Sequence, residues 1–204
     1  MLWKPFFLDP NTPAEGEDLE EHLDAKYGKG SYKKFNQPTS PLILAGKKLG
    51  IDFLAGEGRR FVPTMQAHRL VESLKADEKA QNTLVEKLFE AYFERAVDIS
   101  QPEELQKIGE AAGMDTALVA AIAGDKLGDR VEPTVDDVKR ADHRSKTGYN
   151  VNGVPFFVIL AERLNAAGEV ESRSDRPVGF SGAQPADVIN MAMEQVVQDV
   201  MEAD

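Results

Sequence analysis

Apolar and polar positions follow two rhythms along this chain. Residues 2–8, "LWKPFFL", form a short aromatic-rich run stopped by the turn-rich "DPNTPAEGED", which predicts a strand. A helical period then takes over. It predicts helices over residues 18–26 and 41–49, and a third after Pro63, where Ala67, Leu70, Val71 and Leu74 recur on one face. The widest apolar stripe runs through Leu84, Val85, Leu88, Phe89, Tyr92, Phe93 and Ala96. Ser100-Gln-Pro-Glu103 reads as a capping box that opens the next helix, with closure near Gly113. Helices over 115–123 and 134–146 follow, with Gly148 expected just past the second.

Strands return only at "PFFVILA" (155–161) and "RPVGFSG" (176–182), separated by a polar turn. From Pro185 a last helix would turn Val188, Ile189, Ala192, Met193, Val196, Val197 and Val200 inward. The order is strand, a long helical block, strand, strand, helix, so the fold class is α/β. Neither the head strand nor the tail can bury its apolar face alone, and the two are expected to share one sheet. The domain reading is residues 1–14 with 148–204 as one α/β half-domain, and residues 15–147 as an inserted helical domain.

Composition narrows the function. The 204 residues carry a formal net charge of −11 and show no Lys/Arg run, which disfavours nucleic acid or an anionic membrane as partner. No apolar run approaches the length of a membrane span, and the N-terminus lacks the layout of an export signal, so a cytoplasmic location is expected. There is no cysteine. Disulfides, thiolate metal sites and a cysteine nucleophile within this chain are therefore excluded. No phosphate loop, metalloprotease helix or nucleophile elbow occurs. His22 and His143 sit in highly charged helices and are expected to be solvated, and Trp3, Phe6 and Phe7 are expected in the core.

"NGVPFFVIL" (152–160) raises the sharpest question. Pro155 fixes φ and removes a ladder donor at the mouth of the most apolar strand. On the residues alone it is either a trans proline starting a strand or a cis proline that leaves neighbouring main chain open to a partner.

The stretches "WKPFFLDPNTPAEGEDLEEHLDAKYG", "TMQAHRLVESL", "LVEKLFEAYFERAVDISQPEELQKIGEAAGMD", "GVPFFVI" and "FSGAQP" resemble, in that order, the DsbA-like thioredoxin family. Within it they are most similar to the FrnE-type dithiol–disulfide isomerases, relatives of 2-hydroxychromene-2-carboxylate isomerases and kappa-class glutathione transferases. The resemblance covers nearly the whole chain. It implies a DsbA-type thioredoxin-like fold with a large all-helical insertion, and a cis Pro155 beside which Val154 pairs with an extended peptide or glutathione. Members open with a strand and a Cys-x-x-Cys helix, or Ser in the isomerase and transferase cousins. Both elements are missing here, since the chain starts at the family's second strand. That gap leaves strand edges to be met directly, by a second subunit in a homodimer, or by an upstream segment, the last being the expectation.

The resemblance also suggests site residues. His68 and Arg69 would flank the substrate cleft; the plain alternative packs His68 at a boundary and solvates Arg69. Ser181, Gly182 and Gln184 match the loop that holds the γ-glutamyl end of glutathione in the cousins; the alternative is a turn capping the last helix. The implied function is thiol–disulfide exchange with a protein or small-molecule partner, in a chain without its reactive motif and inactive alone. No cofactor is required, and glutathione is a candidate co-substrate. Two alternatives remain: a glutathione-dependent isomerase or transferase relative, and a non-catalytic peptide- or glutathione-binding protein.

Overall fold

A computed structural model describes residues 1–53 and 58–202. The helical segments follow the apolar period closely. They are α1 (Leu19–Tyr27), α2 (Ser31–Asn36), α3 (Pro41–Lys48), α4 (Met65–Ser73), α5 (Glu78–Phe89), α6 (Pro102–Ala111), α7 (Thr116–Gly124), α8 (Val135–Gly148) and α9 (Ala186–Glu202). Short side chains set several starts: Asp18 accepts from Glu21 N, Asp77 from Ala80 N and Asp115 from Leu118 N. The strands are β1 (Glu17–Asp18), β2 (Arg60–Phe61), β3 (Phe156–Ile159), β4 (Glu162–Leu164), β5 (Val170–Arg173) and β6 (Val178–Ser181). They pair antiparallel as β1–β2, β3–β6 and β4–β5.

The chain divides into two compact units, Met1–Asp142 and His143–Asp204. In the first, Leu70, Leu84, Leu105, Val119 and Ile122 form the centre of the core, without solvent exposure. α6 and α7 come closest at Gly109, where an added Cβ would lie 2.7 Å from a Val119 methyl. Gly109→Ala should therefore overpack this contact and cost about 1–3 kcal/mol in urea unfolding. A loss indistinguishable from zero would mean the two helices part freely. In the second unit Val151, Ala192, Val196 and Val200 are buried, and α9 packs on β3 and β4.

Several expectations need correction. Residues 2–8 form no strand and join no sheet. Side chains meet their main chain instead. Trp3 N donates to Gln81 Oε1 (2.8 Å), Gln81 Nε2 donates to Trp3 O (3.3 Å) and to Val71 O (3.0 Å), and Phe7 N donates to Asp142 Oδ1 (2.9 Å). The Gln81 amide takes the place of a neighbouring strand. Residues 1–14 lie in the same compact unit as these helices.

The capping box does not form either. Ser100 N and Oγ both donate to Asp98, Gln101 becomes the cap, and Pro102 opens α6 with no side-chain cap. Gly113 does close that helix: its φ is 79°, its N–H donates to Glu110 O, and Met114 N donates to Gly109 O. Gly148 lies inside α8, and Asn150 (φ 52°) takes the left-handed conformation beyond it. The long stripe is not one α-helix. It widens into a π-turn at Glu90–Glu94, where Tyr92 Oη donates to Arg60 O and the Arg59 guanidinium lies over the Tyr92 and Phe93 rings.

The β4–β5 hairpin lies inside the expected polar turn, because ion pairs hold it rather than apolar alternation: Arg173–Glu162 at 2.8 Å and Arg163–Glu171 at 3.2 Å. In α9, Val188, Met193 and Val197 are exposed rather than inward. His22 is not a solvated residue. It stacks on Phe61 at 3.7 Å between centroids and its Nδ1 meets Glu17 Oε2 at 2.9 Å.

Candidate functional site

The second unit carries the Val154–Pro155 junction. Pro155 joins Val154 through a cis peptide bond and leads directly into β3. Pro155 O accepts from Gly182 N at 2.8 Å, which ties the junction to the end of β6. Two glycines shape this strand pair and the turn that follows it. Gly182 has φ 78°, and a Cβ on Gly179 would press on the Phe156 ring at 3.2 Å. On the sheet's other face Phe157 stacks on Phe180, with centroids 5.4 Å apart. This packing fixes the strand while Val154 stays 52% exposed. No hydrogen bond among the described residues engages the Val154 main chain.

The structure thus brings together Val154, Pro155, Ser181 and Gly182. Ser181 ends β6 with its side chain facing outward, and its carbonyl accepts from Gln184 Nε2 at 2.9 Å. The Gly182 N–H is already taken by Pro155. The loop therefore offers an incoming carboxylate fewer donors than its sequence promises.

His68 and Arg69 belong to the first unit, on α4. His68 is half-buried and meets the Phe7 ring edge-on at 4.9 Å. Burial lowers its pKa to about 4, with the charge of Asp142 working weakly in the opposite direction, so the ring is neutral at physiological pH.

Arg69 is neither at a cleft nor solvated, because its side chain has no exposed surface. Its Nε donates to Pro133 O at 2.7 Å, Nη1 to Gln66 Oε1 at 2.8 Å, and Nη2 to Asp125 Oδ2 at 3.1 Å and to Val131 O. The guanidinium locks the loop between α7 and α8.

Asp125, which the sequence reading passed over, is the other half of that lock. It accepts from the main-chain N–H groups of Gly128, Arg130 and Val131 and from Arg130 Nε. Burial opposes its charge, but these donors hold its pKa far below the usual carboxylate range. The spacing "GDKLGDR", an Asp three residues before a glycine, was the signal for this side-chain-closed turn.

Among the described residues no three His, Asp or Glu side chains gather as metal ligands. No helix there is long and apolar enough to cross a membrane. With no cysteine in the sequence, the junction has no thiol of its own with which to exchange a disulfide.

Comparison with known proteins bears on the family and the fold. A family model described as a DSBA-like thioredoxin domain matches residues 1–194. Among solved structures the chain is similar to a probable DsbA oxidoreductase from Streptomyces coelicolor, at 23% sequence identity and a TM-score of 0.68. The match covers 98% of this chain and 74% of that one. No curated protein matches the sequence.

Proposed function

This chain belongs to the DSBA-like thioredoxin family, and from that membership we propose that it is the partner-docking part of a FrnE-type dithiol–disulfide oxidoreductase of the cytoplasm. An extended thiol- or disulfide-bearing peptide pairs with the Val154 main chain beside Pro155. The reactive thiol comes from outside these 204 residues, which hold no cysteine. There a thiolate at a helix N-terminus would attack the guest's disulfide and pass through a mixed disulfide.

The observation that carries the reading is Val154. It is half exposed, with main-chain groups that none of the described residues engages, on a strand start held by Gly182 and the Phe157–Phe180 stack. Backbone left open beside a rigid strand is what an extended guest needs. Arg69, whose side chain is fully enclosed, offers no surface to a guest. The glutathione-transferase reading is weaker, since the Gly182 donor it would use already binds Pro155.

Titration with an extended peptide carrying serine in place of its cysteine tests the docking step. Amide NMR shifts should concentrate at Val154, Phe156 and Gly182. Shifts elsewhere, or none at saturating peptide, would remove the docking role. A stop codon just before Met1 in the genomic frame, with no strand and Cys-x-x-Cys segment, would remove the upstream thiol.

A further inference from the structure

We propose that the outer face of α2 and α3 docks an acidic polypeptide segment of another protein, one that carries apolar side chains among its carboxylates. Residues 25–51 hold six lysines and neither an arginine nor an acidic residue. Setting those six charges aside leaves the rest of the chain at −17, against −11 for the whole. All six lysines are exposed. Among the described residues only Lys33 has an ion pair, with Glu20 at 3.8 Å.

Local bonds present this block as one surface. Asp24, near the end of α1, accepts from Gly30 N (2.8 Å) and Tyr32 N (3.0 Å), which sets α2 against α1. Tyr27 and Phe35 then meet edge-on at 5.8 Å, and Lys26 lies over the Tyr27 ring. Ser40 caps α3, whose Ile43 and Gly46 are buried; a Cβ on Gly46 would sit 2.6 Å from the Phe53 ring. With that face inward, the others turn out. Leu42 and Leu49, two turns apart, share one side of α3, and Leu44 and Lys48, one turn apart, share another. All three leucines are exposed, Leu49 at 78%. Helix dipoles account for lysines in the last turns of α2 and α3. They do not account for five large apolar side chains standing in water among those lysines.

The charges select the occupant. A nucleic acid or an anionic bilayer is an extended polyanion and would also meet the remaining −17. The block holds no arginine, whose planar fork suits phosphate. Charge attraction reaches only about 8 Å at physiological ionic strength, so a short acidic segment can face the lysines without facing the rest. The six carboxylates of residues 15–24 border the block, Glu20 beside Lys33, and turn a longer anion away. The exposed leucines and rings require apolar partners between the guest's carboxylates.

Fluorescence anisotropy with a labelled synthetic peptide repeating Glu-Glu-Leu measures the contact, and amide NMR shifts locate it. The peptide should bind and shift amides within residues 26–49. Lys33→Glu/Lys34→Glu and Lys47→Glu/Lys48→Glu should each weaken it about tenfold. Leu42→Ser/Leu49→Ser should weaken it too, with every charge kept. These side chains are exposed, so unchanged urea midpoints would show that the fold is intact. No binding, equal binding by the variants, or equal binding of a peptide with lysine in place of glutamate each overturns the proposal. So does tighter binding of phosphatidylserine vesicles or of a DNA duplex to the same residues, or a doubled mass without peptide that protects those amides. Guest docking at Val154 stands or falls separately, because it is read on different amides.

Discussion

Replacing Arg69 with alanine should cost the first unit about 3–5 kcal/mol, the usual consequence of removing one partner of a buried, hydrogen-bonded charge pair. That is a large part of the 5–15 kcal/mol by which folded domains typically exceed their unfolded chains. The side chain is fully enclosed, and its loss strips donors from Pro133 O, Val131 O, Gln66 Oε1 and Asp125 Oδ2 together. Asp125 then keeps Arg130 and its main-chain donors but faces an empty space where a cation stood. Arg69→Lys is not a rescue: one ammonium on a flexible stem cannot reach the places that a planar fork reaches. It should lie between wild type and alanine in urea midpoint. If Arg69→Ala shifted stability by less than about 1 kcal/mol, the guanidinium would be acting as a surface ion pair, in conflict with its burial.

That residue also shows where sequence reading stops. The period of Ala67, Leu70 and Val71 places α4 correctly and makes Arg69 look like the solvent-facing neighbour of an apolar stripe. What encloses it is a loop more than fifty positions along the chain, and no local pattern reports that closure. Helices were legible because their signal is local: an apolar period, an N-terminal Asp, a glycine such as Gly113 past the end. The head segment was misread for the reverse reason. "LWKPFFL" has a strand's composition, but whether main chain pairs with a strand or with Gln81 and Asp142 is decided by tertiary contacts. The β4–β5 hairpin looked like a loop because its strands are charged and its stability comes from pairing across the hairpin.

The candidate site was legible in part. Pro155 before an aromatic strand stands out in the sequence, and so does the glycine that receives it at Gly182. Their mutual hydrogen bond is a matter of register, and register lies in pairing rather than composition. A DsbA-like thioredoxin fold hosts many chemistries, and this chain brings no thiol of its own to them. The functional weight therefore falls on what the second unit can bind.

Lowering the pH from about 7 to about 4.5 should cost the protein roughly 2 kcal/mol through His68 alone. In the unfolded chain the ring takes a proton near its ordinary pKa of 6.5, whereas in the fold burial holds it back until about 4. A group whose folded pKa is depressed stabilises the fold at full strength above the unfolded value. Its contribution drains away as pH falls toward the folded value, so the window runs from 6.5 down to 4. The carboxylates of Asp125 and Asp137, also depressed in the fold, give up their share only below their ordinary value of 3.8, so the two windows hardly overlap. His68→Gln keeps a polar side chain and removes the titration. Its unfolding free energy should change by about 2 kcal/mol less than the wild type between the two pH values, whatever the substitution costs at neutral pH. The Phe7 ring should report the event directly, because a proton on His68 charges the group that ring packs against edge-on. Equal pH slopes for the two proteins would mean that His68 is hydrated in the folded chain and that the Phe7–His68 contact does not seal it.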